Sequence, residues 1–189
     1  LEGFGGIEGV RKGKGELYDF MRSHDGTVFL FDDYDYLQQM SAGVPHIVRY
    51  GTTNGLVQGQ VAISEPFLEV NITEGLSTNR VRTQLVGSYN LPNVLCALTV
   101  GKHLEVPEEK MIAAIEQYTP SNSRSQLVER GTNKIILDAY NANPSSVKLA
   151  IENFAKLAAN HKIILLGGMM ELGEESVAEH QAIADLIAQ

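Results

Sequence analysis

The stretch Leu137-Asp138-Ala139-Tyr140-Asn141-Ala142-Asn143-Pro144 sets an acid, an aromatic and two amides between an apolar run and a proline. A carboxylate accepts hydrogen bonds from hydroxyls, and an amide both donates and accepts. Residues 134–137 read as a short buried strand. Pro144 suits the first turn of a helix, where its missing N–H costs nothing, and Asn143 suits the N-cap. Val147, Ala150, Ile151, Phe154 and Leu157 then recur at helical spacing. Asp138, Tyr140 and Asn141 therefore fall in a strand-to-helix loop at the carboxyl end of a strand, where open α/β sheets bind ligands. The residues alone also allow a plain polar turn with a capping Asn.

Three other groups carry chemistry. Ile7, Val10, Leu17 and Met21 form an apolar helical stripe, and Lys14 completes it. A lysine on a buried face must snorkel, pair, lose its proton or be modified. In Gly87-Ser88-Tyr89-Asn90-Leu91-Pro92-Asn93, the two asparagines lie one turn apart at a helix start and share a face. Paired amides there can read the edge of a base, while capping by Asn90 alone would leave Asn93 unexplained. Arg124 follows a polar stretch, 119–123, that reads as a linker. An arginine at such a junction can fork onto a phosphate. Gly167-Gly168-Met169-Met170-Glu171-Leu172-Gly173 fits neither GxGxxG nor GxxxxGK[ST], and no phosphate loop of the latter kind occurs in the chain. The five histidines show no metal-ligand spacing, and His180 reads as a surface residue or a contact to a second domain.

The elements that must position these groups follow from periodicity and turn residues. Helices are predicted over 7–21, from a cap at Asp32-Asp33 to about 41, and over 90–104, 107–118, 145–157 and 174–188. Strands are predicted over 27–31, 46–50, 57–64, 67–72, 80–86, 125–129, 134–137 and 162–166, with Asn54-Gly55 as a hairpin turn between the second and third. Alternation of strands and helices after the linker argues for βαβ units and a parallel sheet.

The 189 residues carry a net charge of −8, which argues against a nucleic-acid surface. No apolar run approaches a membrane span, so no membrane insertion is expected. The one cysteine, Cys96, lies in an apolar helical pattern, reads as a packed thiol and fits a reducing compartment. The first residue, Leu1, and the thin C-terminal part suggest a fragment.

Together these motifs resemble the Mur ligases, ATP-dependent amide-forming enzymes of peptidoglycan precursor synthesis. LEGFG…KGKGELYDF resembles the family's central-domain segment with a carbamylated lysine, which falls on Lys14. A carbamate there would be an anion able to help hold Mg²⁺. GSYNLPN resembles the family's G-x-H-N-x-x-N adenine-contacting motif, with Tyr89 where His is usual. Phe31 stands where Asn is more usual. Arg124 matches an arginine that reaches ATP phosphate. DAYNANPSS and GGMMELGEES…H resemble one branch, whose substrates are UDP-N-acetylmuramoyl-tripeptide and D-Ala-D-Ala.

The resemblance implies an α/β chain: the rear part of a Mur-ligase central ATPase domain (a mixed sheet with helices) joined to an incomplete Rossmann-like C-terminal domain. Residues 1–122 would be the C-terminal part of the ATP-binding domain, and 123–189 the front of the ligase domain. A phosphate-loop segment would lie upstream and more C-terminal domain downstream. ATP and Mg²⁺ are the implied cofactors, and the cytoplasm the implied location. Lys14 would hold Mg²⁺ through its carbamate, Asn90 and Asn93 adenine, Arg124 phosphate, and Asp138 ribose. Tyr140, Asn141 and Asn143 would shape the nucleotide and dipeptide side. The fragment alone is expected to be inactive. A folylpolyglutamate-synthase-like ligase is a competing reading, although that family shows Ala-His-Asn-Pro where this chain has 140–144. A non-catalytic module of the same fold is the other.

Overall fold

The structure, a computed structural model, describes residues 2–121 and 124–188. The expected linker is thus only partly visible, since Asn122 and Ser123 lie outside the described residues.

A five-stranded sheet runs in the order β1 (Thr27–Phe31), β2 (His46–Gly51), β3 (Val57–Ile63), β4 (Glu69–Glu74), β5 (Arg80–Arg82). The first three strands pair in parallel, and β3, β4 and β5 pair antiparallel. Helix α1 (Ile7–Ser23) precedes β1, and the short α2 (Asp35–Met40) joins β1 to β2. Helix α3 (Leu91–His103) lies across β1, β2 and β3, with α4 (Glu108–Gln117) beside it. Its buried residues, Leu91, Val94, Leu95, Leu98 and Thr99, fall at i, i+3/i+4 spacing. Leu91, Val94, Leu95 and Leu98 close on Val57, Val70 and Val81 of the sheet and on Leu68 just before β4. Each such side chain contributes about 1.5–3 kcal/mol by leaving water, so this core fixes α3 and the segment that leads into it.

The C-terminal part has a smaller core of its own. Strands β6 (Gln126–Arg130) and β7 (Asn133–Leu137) form an antiparallel pair. Helix α5 (Pro144–Lys156) packs on α6 (Ser176–Ile187) through Ile151, Met169, Leu172 and Ile183. No described helix is long and apolar enough to cross a membrane.

Four expectations are corrected. First, Asn54-Gly55 does not turn a hairpin. A type I′ turn needs positive φ at both central residues, and of the pair only Gly55 has it. Instead Leu56 N–H bonds back to Arg49 O at 2.7 Å, Asn54 Nδ2 donates to Asp32 Oδ2 at 2.7 Å, and β3 enters parallel to β2.

Second, Asp32-Asp33 does not cap α2, whose N-cap is Tyr34. Asp32 accepts from Arg49 and Asn54, and Asp33 from Thr52 N–H, so both carboxylates tie loops together.

Third, residues 162–166 are not a strand, and in place of the parallel sheet expected after the linker the described residues there form only the antiparallel β6–β7 pair. Residues 162–166 have no strand partner among the described residues, and Ile163 and Leu165 stand 80% and 91% exposed. An apolar run needs a neighbouring strand to satisfy its backbone.

Fourth, the stripe through Lys14 is not buried. Ile7, Lys14 and Leu17 are exposed, while Val10, Gly13, Tyr18 and Met21 turn inward. A Cβ at Gly9 would sit on the Phe4 carbonyl oxygen, so glycine lets the preceding turn fold onto α1.

Candidate functional site

The segment Gly87–Asn93 turns from the sheet into α3. Gly87 has φ +95°, and a side chain there would strike the Tyr89 ring. Glycine therefore lets the ring fold back over the chain. Ser88–Asn90 form one 3₁₀ turn. Asn90 occupies the N-cap position of α3 but makes no side-chain cap bond. Its amide Nδ2 donates to Val86 O at 3.0 Å and to Ser125 Oγ at 3.2 Å, and its Oδ1 accepts from Asn93 Nδ2 at 3.2 Å. The two amides share a face, as their spacing requires. Asn90 is 8% exposed, whereas Asn93 points to solvent.

Opposite lies the start of the β6–β7 pair. Gln126 pairs with Leu137, so the next rung outward sets Ser125 beside Asp138. Ser125 N–H donates to Asp138 Oδ1 at 3.1 Å, and Ser125 O accepts from Val86 N–H at 3.2 Å. Ser125 is 4% exposed and has φ +49°, an uncommon conformation for a side-chain-bearing residue. The Tyr89 hydroxyl lies 2.9 Å from Ser125 Oγ and 3.2 Å from Asp138 Oδ2. Burial pushes the Tyr89 phenol up to about 12; the Ser125 bond opposes this, and the Asp138 charge and hydrogen bond add to it. Below, Asn153 Oδ1 on α5 lies 3.2 Å from the Ser88 hydroxyl that donates to it, while its Nδ2 donates to Leu149 O at 2.7 Å. A continuous polar chain thus joins the α3 entrance to the strand ends of the C-terminal part.

The other predicted site residues divide. The Arg124 guanidinium stacks 3.7 Å over the Tyr140 ring, a cation–π pair at the same junction. Asn143 caps α5 in a reciprocal box: Oδ1 accepts from Ser146 N–H at 3.0 Å, and Ser146 Oγ accepts from Asn143 N–H at 3.2 Å. Asn141 Oδ1 accepts from Ala142 N–H. Lys14, exposed on α1, is not part of the chain. His180 is half-buried rather than a surface residue. Its Nε2 accepts from Met169 N–H at 2.9 Å, so its proton sits on Nδ1 and donates to Ser176 O at 2.7 Å. It therefore holds the 167–173 loop from within the same part of the chain. Sequence reasoning missed Ser125 and Asn153. Asn153 left a trace, as an amide set among the apolar positions of α5.

A mixed sheet under α3, followed by a polar junction to a second small α/β unit, defines the class: a two-part α/β fold with its candidate site where the parts meet. The Mur ligase middle domain matches residues 1–101, and the Mur ligase glutamate ligase domain matches residues 123–189. The chain belongs to the Mur ligase family. It is 24% identical over 190 residues to the UDP-N-acetylmuramoyl-tripeptide–D-alanyl-D-alanine ligase of Escherichia coli K12, covering 98% of this chain and 42% of that protein. To the enzyme of that name from Mycobacterium tuberculosis H37Rv it is 30% identical over 196 residues, covering 97% and 38%. Among solved structures, MurF from Acinetobacter baumannii superposes with a TM-score of 0.85 at 23% identity, over 100% of this chain and 42% of that one. MurF ligase from Thermotoga maritima in complex with ADP gives 0.84 at 20% identity, over 99% and 43%. The chain spans about two-fifths of the length of these relatives.

Proposed function

We propose that the full-length protein containing this chain joins D-Ala-D-Ala to UDP-N-acetylmuramoyl-tripeptide at the expense of ATP, in the cytoplasm, as a step of peptidoglycan precursor synthesis. The observation that carries this reading is the hydrogen-bonded chain from Asn93 to Asp138, which spans the junction between the two family-matched parts. We take residues 1–122 as part of the ATP-binding domain and 123–189 as part of the ligase domain.

In this reading Asn93 offers its outward amide to the adenine edge, and Asn90 holds that amide in place. Asp138, exposed and with a lone pair left on each oxygen, accepts from the ribose. Arg124 meets phosphate, with the Tyr140 ring as its platform. Asn141 and the capped turn at Asn143 shape the wall on the dipeptide side. The amine of Lys14 is accessible, and as a carbamate it would supply oxygen to Mg²⁺. Because Mg²⁺ takes six oxygen ligands, phosphate and water would complete the set. The ion's chemistry is to offset charge on the transferring phosphoryl group.

The reaction balances in two steps. The γ-phosphoryl of ATP passes to the tripeptide carboxylate, giving an acyl phosphate and ADP. The dipeptide amine then attacks the carbonyl, and inorganic phosphate leaves with the C–O bond electrons. Activation is required because a carboxylate is a poor electrophile. Phosphate release by the full-length protein, with Mg-ATP, the UDP-tripeptide and either D-Ala-D-Ala or a single amino acid, tests the reading. Release only with the dipeptide supports it; release only with the amino acid assigns the chain to another branch.

A further inference from the structure

The hydrogen bonds around Tyr89 can be satisfied in only one direction. Asp138 as a carboxylate has no proton to give. Asn90 Nδ2 has two, one for Val86 O and one for Ser125 Oγ. Ser125 Oγ, having accepted that bond, has a single proton, and the Tyr89 oxygen 2.9 Å away can take it. The Tyr89 proton is then left for Asp138 Oδ2 at 3.2 Å. Ser125 N–H fills one position on Asp138 Oδ1. The order is therefore Asn93 to Asn90 to Ser125 to Tyr89 to Asp138, each group donating to the next. With its phenol pushed up to about 12, Tyr89 keeps its proton at neutral pH and remains a donor.

Two features make this more than a structural contact. Asp138 is exposed, so its remaining lone pairs face solvent and can take a ligand hydroxyl. Tyr89 and Asp138 lie 49 residues apart, one at the entrance to α3 and the other at the end of β7. The hydroxyl thus sets the carboxylate relative to the amide pair at the other end of the same chain.

We propose that Tyr89 is a positioning residue: its hydroxyl fixes the Asp138 carboxylate for a ribose hydroxyl and ties that pose to Asn93. The inference rests on reading Asp138 as the ribose acceptor. It makes recognition of the sugar depend on a side chain that does not touch it.

The test uses the full-length protein and three nucleotides: ATP, 2′-deoxy-ATP and 3′-deoxy-ATP. KM and kcat are measured for the parent, Tyr89→Phe, Asp138→Asn and the double variant. In the parent, removing the hydroxyl that Asp138 accepts should raise KM about tenfold, the scale of a hydrogen bond to a charged group. Tyr89→Phe keeps the ring and removes one oxygen. It should raise KM for ATP about three- to tenfold, leave kcat within about twofold, and shrink the penalty for the deoxy-nucleotide. The double variant should be no worse than Asp138→Asn. Ser125→Ala breaks the same chain one link earlier without touching the ring and should also shrink the penalty, so the test does not depend on one variant folding. A full deoxy penalty in both Tyr89→Phe and Ser125→Ala would overturn the proposal and leave the ribose assignment standing. The absence of any penalty in the parent would overturn the ribose assignment, and the proposal with it.

Discussion

Asn90→Asp changes one atom's chemistry and almost nothing of its shape. The side chain is 8% exposed and its amide makes two donated bonds, to Val86 O and Ser125 Oγ. The substitution deletes both donors and sets a carboxylate oxygen against the Val86 carbonyl. Each lost bond costs about 1 kcal/mol, and leaving a buried acceptor unpaired adds roughly 1–2 kcal/mol. The sum is about 3–4 kcal/mol, or roughly 6–16 °C in Tm for a chain of this size. Urea unfolding of the 189-residue chain at pH 7 should show a lower midpoint with an unchanged slope. Acid should shrink the difference, because a protonated carboxyl regains one donor. Asn93→Asp is the comparison: that side chain is exposed and loses one donated bond, to Asn90 Oδ1, so its cost should be about 1 kcal/mol. Equal costs at the two positions, or a loss at Asn90 below about 0.5 kcal/mol, would refute the division into a holding and a presenting amide.

Glu108, at the first turn of α4, accepts from Ser77 N–H, Thr78 N–H and the Ser77 hydroxyl. Those donors hold its carboxyl below the usual range, the two backbone N–H groups most. A group lowered on folding stabilises the fold above its unfolded pKa and loses that contribution as pH falls through the folded value. Glu108→Gln should therefore lower stability at neutral pH, by less than Asn90→Asp does, and flatten the acid limb of a Tm-versus-pH curve; an unaltered limb would count against it. Lys14→Ala in the full-length protein should lose ligase activity that added short carboxylates partly restore; full activity without them would remove Lys14 from the site.

Legibility followed how local each cause was. Strand β1 was readable because four of its five residues, Val28 to Phe31, are apolar and the run is bounded by turn residues. Helix α5 was readable from Asn143 and Pro144, whose effects lie within one turn. The α1 stripe had the right period, but period alone does not say which face packs. The glycines that decide it act through Phe4, which no helical count registers. Asn54-Gly55 carried a hairpin signal that Asp32, 22 residues away, overrides. Asn90, Asn93 and Asp138 were found as separate residues. What joins them was hidden in Tyr89 and Ser125, 36 residues apart, whose meeting depends on how two parts of the chain come together.

The central claim is that the Asn93-to-Asp138 junction takes the nucleotide. It is tested most directly by the KM values for ATP and for D-Ala-D-Ala in full-length Asp138→Ala. The account predicts a rise of about tenfold or more for ATP and a change under about threefold for the dipeptide. An unchanged KM for ATP, with the dipeptide weakened instead, would contradict it.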